Sequence, residues 1–171
     1  MLTALGAAVI AAVASLVGVT LGALVEPLKL NAARRAKQRQ ERADRCGAFI
    51  EAAARARQHL ISYNVIHRQR ELGESAEADV EREAAYEDSY YTTRAEMRSL
   101  FGLLVMSGPD ELVEEAKNVR QKDMDLHHVR HELEEGGEFD RRFLPAAVRT
   151  AVTALDRAIE EFALVARKHT S

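Results

Sequence analysis

The sequence predicts an all-α protein: a single N-terminal transmembrane helix followed by a cytoplasmic antiparallel helical bundle of about four helices, the first long and stalk-like. Three observations predict it. No charged residue precedes Glu26, although the 171-residue chain carries 24 Lys+Arg and 27 Asp+Glu. Beyond that point apolar residues recur at spacings of three and four, the period of a helix face. Ala, Glu and Arg dominate the charged part, and Gly and Pro fall at segment ends rather than inside segments. The expected organisation is an anchor over 1–26, a basic juxtamembrane helix over 27–45 and a soluble bundle over 46–171.

Residues 2–25 read LTALGAAVIAAVASLVGVTLGALV, with only Thr3, Ser15 and Thr20 as polar side chains. Such a run crosses the hydrocarbon core as a helix, for which roughly 20 residues at 1.5 Å each suffice. A cleaved signal peptide would open with a basic stretch, and no Lys or Arg occurs before Lys29. The span is therefore expected to be an uncleaved anchor. At 100° per residue, Ala7, Ala11, Ala14, Gly18 and Gly22 share one face, and Gly18 and Gly22 form a G-x-x-x-G pair. Small residues let helix backbones approach closely in lipid, so this face is expected to pack against a second copy or another span.

Basic residues follow at Lys29, Arg34, Arg35, Lys37, Arg39, Arg42 and Arg45. From Glu26 to Arg45 there are 7 basic and 3 acidic residues, a net of +4, and the rest of the chain carries −7 within the total of −3. Lys and Arg resist translocation, so the N-terminus is expected outside and the body in the cytoplasm, with the basic collar at anionic headgroups. Ala-, Arg- and Glu-heavy usage matches a GC-rich bacterial genome and hence a plasma membrane.

In the body, Cys46, Phe49, Ala53, Ala56, Leu60, Tyr63 and His67 form a seam ending near Leu72, and Gly73-Glu74-Ser75 breaks it. A second helix is expected from Ala76 to Met106, with Val80, Ala84, Tyr90, Met97, Phe101 and Leu104 inward. Ser107-Gly108-Pro109-Asp110 stops it and starts a third, which runs to about Leu133 and turns Leu112, Ala116, Val119, Leu126, Val129 and Leu133 inward. Gly136-Gly137 ends that helix. A last one, from Pro145 to Lys168, offers Val148, Ala151, Leu155, Ile159, Phe162 and Val165. Four amphipathic helices on short loops favour an up-and-down bundle.

Chemistry-bearing residues concentrate in Asp123-Met124-Asp125-Leu126-His127-His128-Val129-Arg130-His131. Asp123, His127 and His131 stack at i, i+4 and i+8, a spacing that can present a carboxylate and two imidazoles to a metal. The inward positions assigned to this helix leave them on its flank or surface. Their neighbours miss the usual motifs: His131-Glu132 lacks a histidine at Glu135, and Asp125-x-x-His128 stands where a di-iron bundle has Glu-x-x-His. The tyrosines Tyr63, Tyr86, Tyr90 and Tyr91 read as core. Cys46, the one cysteine, reads as a small hydrophobe on the seam.

No phosphate-binding Gly-rich loop, G-x-S-x-G or supported Cys/His pairing is present, and no cofactor is expected. An acidic body disfavours nucleic acid as a partner. The expected function is a membrane-tethered interaction or scaffold module without a catalytic role, whose partners are the bilayer, itself or another membrane helix, and a cytoplasmic protein. The rival expectations are a membrane-disrupting, holin-like or toxin-like effector and a metal- or pH-responsive sensor built on the His cluster.

Overall fold

The computed structural model describes residues 2–71, 73, 77–130 and 144–170, with side chains from Lys29 onward except at 71, 77 and 78. Four helices account for almost all of them: α1 (Leu2–Glu71), α2 (Glu77–Ser107), α3 (Asp110–Val129) and α4 (Ala146–Thr170). No strand occurs among the described residues. The chain divides into two compact units, residues 1–40 and 41–171.

In the first unit, the side chains from Lys29 to Gln40 are all exposed. The anchor expected over 2–25, with its small-residue face, lies outside the described side chains. Among the described residues no helix is long and apolar enough to cross a membrane.

The second unit is a helical bundle with one core. Cys46, Phe49, Ala53, Ala56, Leu60 and Tyr63 of α1 are buried, as the seam predicts. Phe49 meets Phe162 of α4 edge-on, ring centroids 5.0 Å apart, a geometry that aligns ring edge with ring face. Contacts between neighbouring helices run in opposite senses. Arg45 and Arg55 of α1 reach Ser107 and Glu96 of α2, while Arg42 and Arg57 reach His169 and Asp156 of α4. Across α2 and α3, Tyr90 faces His127 and Arg94 faces Asp123, with Arg120 stacked on Phe101.

Helix ends follow local chemistry. Pro109 is extended at φ −69° and ψ 154°, and its carbonyl accepts from Val113 N at 3.1 Å. Asp110 and Glu111 then occupy the first turn of α3, where carboxylates suit the helix dipole. Two C-termini are closed by α1 side chains: Asn64 Nδ2 donates to the Arg130 carbonyl at 2.9 Å, and Arg42 NH1 to the His169 carbonyl at 3.1 Å.

Two expected positions are corrected. Val80 and Ala84 of α2 are exposed rather than inward, whereas Phe101 is partly buried and packed against the core. Tyr90, Met97 and Leu104 are buried as expected, and Glu83, one heptad before Tyr90, and Thr93 are buried with them. The seam thus opens on a carboxylate, which an apolar-only reading of the period skips. In α3 the described helix ends at Val129, with Arg130 as its C-cap, and Leu133 and Gly136-Gly137 lie outside the described residues.

Candidate functional site

Polar chemistry in the bundle gathers on the seam between α2 and α3. The buried row of α3 is Leu112, Ala116, Val119, Asp123 and Leu126, so alternating steps of four and three carry Asp123 into the interior. At 3% exposure it is not on the flank where the sequence reading put it. The reason stands opposite: Arg94 Nε donates to Asp123 Oδ2 at 2.7 Å, and a buried charge is tolerable where it is paired and hydrogen-bonded. Asp123 Oδ1 is equally buried and has no hydrogen-bond partner. Burial pushes the Asp123 carboxyl up from its ordinary range, against the downward pull of Arg94, Arg120 and Arg98.

One turn along, His127 is half-buried between two partners. Arg130 NH1 stands 3.1 Å from Nε2, and Tyr90 Oη 3.1 Å from Nδ1. A guanidinium can only donate, so Nε2 accepts, and the ring proton sits on Nδ1 facing Tyr90 Oη. The Tyr90 and His127 rings stack with centroids 5.9 Å apart. Tyr90 is 1% exposed, and burial drives its phenol further above its usual range. Arg130 NH2 also donates to Tyr91 Oη at 3.1 Å; Tyr91 is exposed, unlike the core position expected of it, whereas Tyr63 and Tyr90 are buried and Tyr86 is partly so.

Beside this network a cavity of about 220 Å³ opens between α2 and α3, lined in part by Arg94, Arg98, Arg120, Asp123 and His127. Arg98 makes no hydrogen bond or ion pair among the described residues, and Arg120 lies over the Phe101 ring at 4.6 Å. The cavity therefore collects three guanidiniums around one carboxylate.

A second polar knot joins α1 to α2. His67 Nδ1 lies 2.8 Å from Glu83 Oε1, Arg70 NH1 lies 3.0 Å from Glu83 Oε2, and Tyr63 stacks on His67 at 5.5 Å. His67, expected on the apolar seam, is half-buried as the partner of a buried Glu83.

Of the candidate metal ligands, Asp123 and His127 lie on this seam, each engaged by an arginine, and His131 lies outside the described residues. Among the described residues no three His, Cys, Asp or Glu side chains come together as a metal would need. Cys46 is 2% exposed, and burial pushes its thiol pKa up. Of the seven collar residues, Lys29, Arg34, Arg35, Lys37 and Arg39 are exposed. Arg42 and Arg45 are half-buried, and both bond within the bundle. Sequence reasoning missed Arg94, Arg98 and Arg120, because a guanidinium on a helix in a charged chain looks the same whether it faces water or a buried partner.

No protein-family model matches this chain, and comparison with curated proteins and with solved structures returned no match.

Proposed function

We propose that the protein is a membrane-tethered helical interaction module: an N-terminal span holds a helical bundle at the cytoplasmic face of the plasma membrane, and the Gly18/Gly22 face of the span pairs it with itself or another span. The observation that carries this reading is the segment between span and bundle. After an uncharged run of 24 residues, the side chains of Lys29, Arg34, Arg35, Lys37 and Arg39 are exposed along a helix instead of being packed into the bundle core. Exposed cations next to an apolar run suit anionic headgroups, each contributing about 1 kcal/mol near the surface. Interaction with a protein partner draws support from the end of α2, where Val105 is 47% and Met106 76% exposed.

Alkaline-carbonate extraction of membranes carrying a C-terminally tagged chain tests the tether, and protease added to intact spheroplasts tests orientation. The tag is expected to stay in the membrane fraction and to be protected. Release by carbonate would end the anchor reading, and a cleaved tag would reverse the topology. Gly18→Leu with Gly22→Leu is expected to lower the cross-linked dimer fraction, and an unchanged fraction would remove the small-residue face from the proposal.

A further inference from the structure

Two cavities adjoin between α2 and α3, each of about 220 Å³, and Arg120 and Met124 line both. Each is several times the ~30 Å³ share of one water molecule, so together they have room for a small organic ligand. The chemistry of that ligand follows from which lining groups already have partners. In the first cavity Arg94 is held by Asp123 Oδ2, and His127 is tied to Tyr90 and Arg130. Asp123 is 3% exposed, so it contributes charge there and no contact. In the second, Lys117 Nζ donates to Glu114 at 2.6 Å and Gln121 Nε2 to Asp125 at 2.9 Å, both within α3. Two guanidiniums and an apolar surface are left over. Arg98, exposed on α2, and Arg120 on α3 form no hydrogen bond or ion pair among the described residues. With Arg94 set against Asp123 and Lys117 against Glu114, these two arginines are the uncompensated charge. Arg120 is already oriented, its guanidinium resting over the Phe101 ring at 4.6 Å. Met124 is 41% exposed at the junction of the two cavities, an adaptable apolar contact.

We propose that the adjoining cavities bind a small amphipathic anion, its oxyanion head held by Arg98 and Arg120 and its apolar tail lying over Met124 toward Phe101. A bare oxyanion pairs the arginines but leaves Met124 uncovered. An apolar molecule covers Met124 but leaves two cations unpaired beside it, and a cation is repelled. Only an anion with an apolar tail satisfies both surfaces. Alkyl carboxylates and alkyl phosphates share that chemistry, because the oxygens of either head accept from a guanidinium fork.

The test is an NMR titration of the full chain in a mild non-ionic detergent at about pH 7, with the methionine methyl groups isotope-labelled. The 4 methionines are Met1, Met97, Met106 and Met124. Met97 and Met124 line the cavities and report binding, while Met106, exposed at the end of α2, serves as the internal control. The titrants are hexanoate, hexyl phosphate, acetate, inorganic phosphate and hexylammonium. At least one of the two hexyl anions is expected to shift Met97 and Met124 saturably while Met106 stays in place. Acetate or inorganic phosphate should bind about tenfold or more weaker than its hexyl counterpart, and hexylammonium should shift neither signal. Arg98→Gln with Arg120→Gln is expected to weaken the hexyl anion by about tenfold. Arg98 and Met124 are exposed, so Arg98→Gln and Met124→Gln, each made alone, keep the test open if the Arg120 variant fails to fold. Tighter hexanoate would assign the head as a carboxylate, and tighter hexyl phosphate as a phosphate ester. The proposal would be overturned by the absence of a saturable shift, by an equal response of Met106, or by arginine variants without effect. Short anions as tight as their hexyl counterparts, or hexylammonium shifting the same signals, would overturn it too.

Discussion

Asp123 and Arg94 form a pair whose members cannot be removed singly without exposing the other's cost. The Arg94 side chain is 14% exposed and that of Asp123 4%, so each desolvated charge depends on its partner. Breaking a buried pair from one side typically costs about 3–5 kcal/mol, whereas replacing both partners by apolar groups of similar volume is often neutral. Arg94→Met is therefore expected to lower the thermal midpoint of the full chain in detergent sharply, and Arg94→Met with Asp123→Leu to recover most of the loss. Equal losses in the single and double variants would show that the pair is not coupled. The pH dependence of Asp123 has a definite sign as well. Burial raises its pKa, so the folded protein holds that proton more tightly than the unfolded chain does. Its contribution to stability is then fully present below the ordinary carboxylate range and is withdrawn as pH rises through the raised value. Compared with Asp123→Asn, which cannot titrate, the native chain should gain relative stability between about pH 7 and pH 3. A relative loss over that interval would mean that the three arginines outweigh burial.

At the scale of helices, α4 and the stretch of α1 from Cys46 to Tyr63 were legible in the sequence because their buried residues are apolar, the buried polar residues of α1, Asn64 and Arg68, coming after that stretch. The seam Cys46, Phe49, Ala53, Ala56, Leu60 and Tyr63 is buried as the spacing predicts, and so are Val148, Leu155, Phe162 and Val165 of the last stripe, with Ala151 and Ile159 partly buried against the same core. The register of α2 was legible over Tyr90, Met97 and Leu104, which are buried as expected, but not at its start or at Thr93: Glu83 and Thr93 are buried polar residues, and hydrophobicity alone favours the exposed Val80 and Ala84. Asn64 escaped notice for a related reason: its value lies in closing another helix, through the Arg130 carbonyl, and no local pattern encodes that. Asn64→Leu is expected to cost about 1–3 kcal/mol in chemical denaturation, from the loss of a hydrogen bond that closes the C-terminus of α3. No change would mean that water serves the carbonyl equally well. Glycines sort by what surrounds them. A Cβ at Gly47 or Gly102 would meet nothing within 4 Å, whereas at Gly108 it would stand 2.7 Å from the Leu104 carbonyl oxygen. Gly47→Ala and Gly102→Ala, within helices, should each stabilise by about 0.5–1 kcal/mol, and Gly108→Ala should destabilise by about 1–3 kcal/mol. A stabilising Gly108→Ala would show that the end of α2 yields more easily than its close contact implies.

For the whole molecule, the physical question is whether two environments are served by two separable parts of one chain. Every residue of the described core lies between Cys46 and Ala166, inside the unit that begins at Glu41. Within that unit Arg42 already ties α1 to the end of α4, and the exposed stretch from Lys29 to Gln40 adds no buried side chain. A chain of residues 41–171 should therefore keep the bundle's helicity and melt cooperatively. It should be monodisperse in aqueous buffer, since the 24-residue uncharged run has been removed with the rest of the first unit. In cells it should leave the carbonate-resistant membrane fraction, while the full chain remains there. The paired measurement, cooperative melting followed by circular dichroism and fractionation of both chains, separates two failures. A truncated chain that melts without cooperativity would mean that the first unit contributes to folding, which the location of the core argues against. A folded truncated chain that still resists carbonate would place the membrane attachment within the bundle, with exposed Val105 and Met106 the first residues to replace. Folding together with release would assign attachment to residues 1–40, the division that the charge-free run and the self-contained core jointly predict.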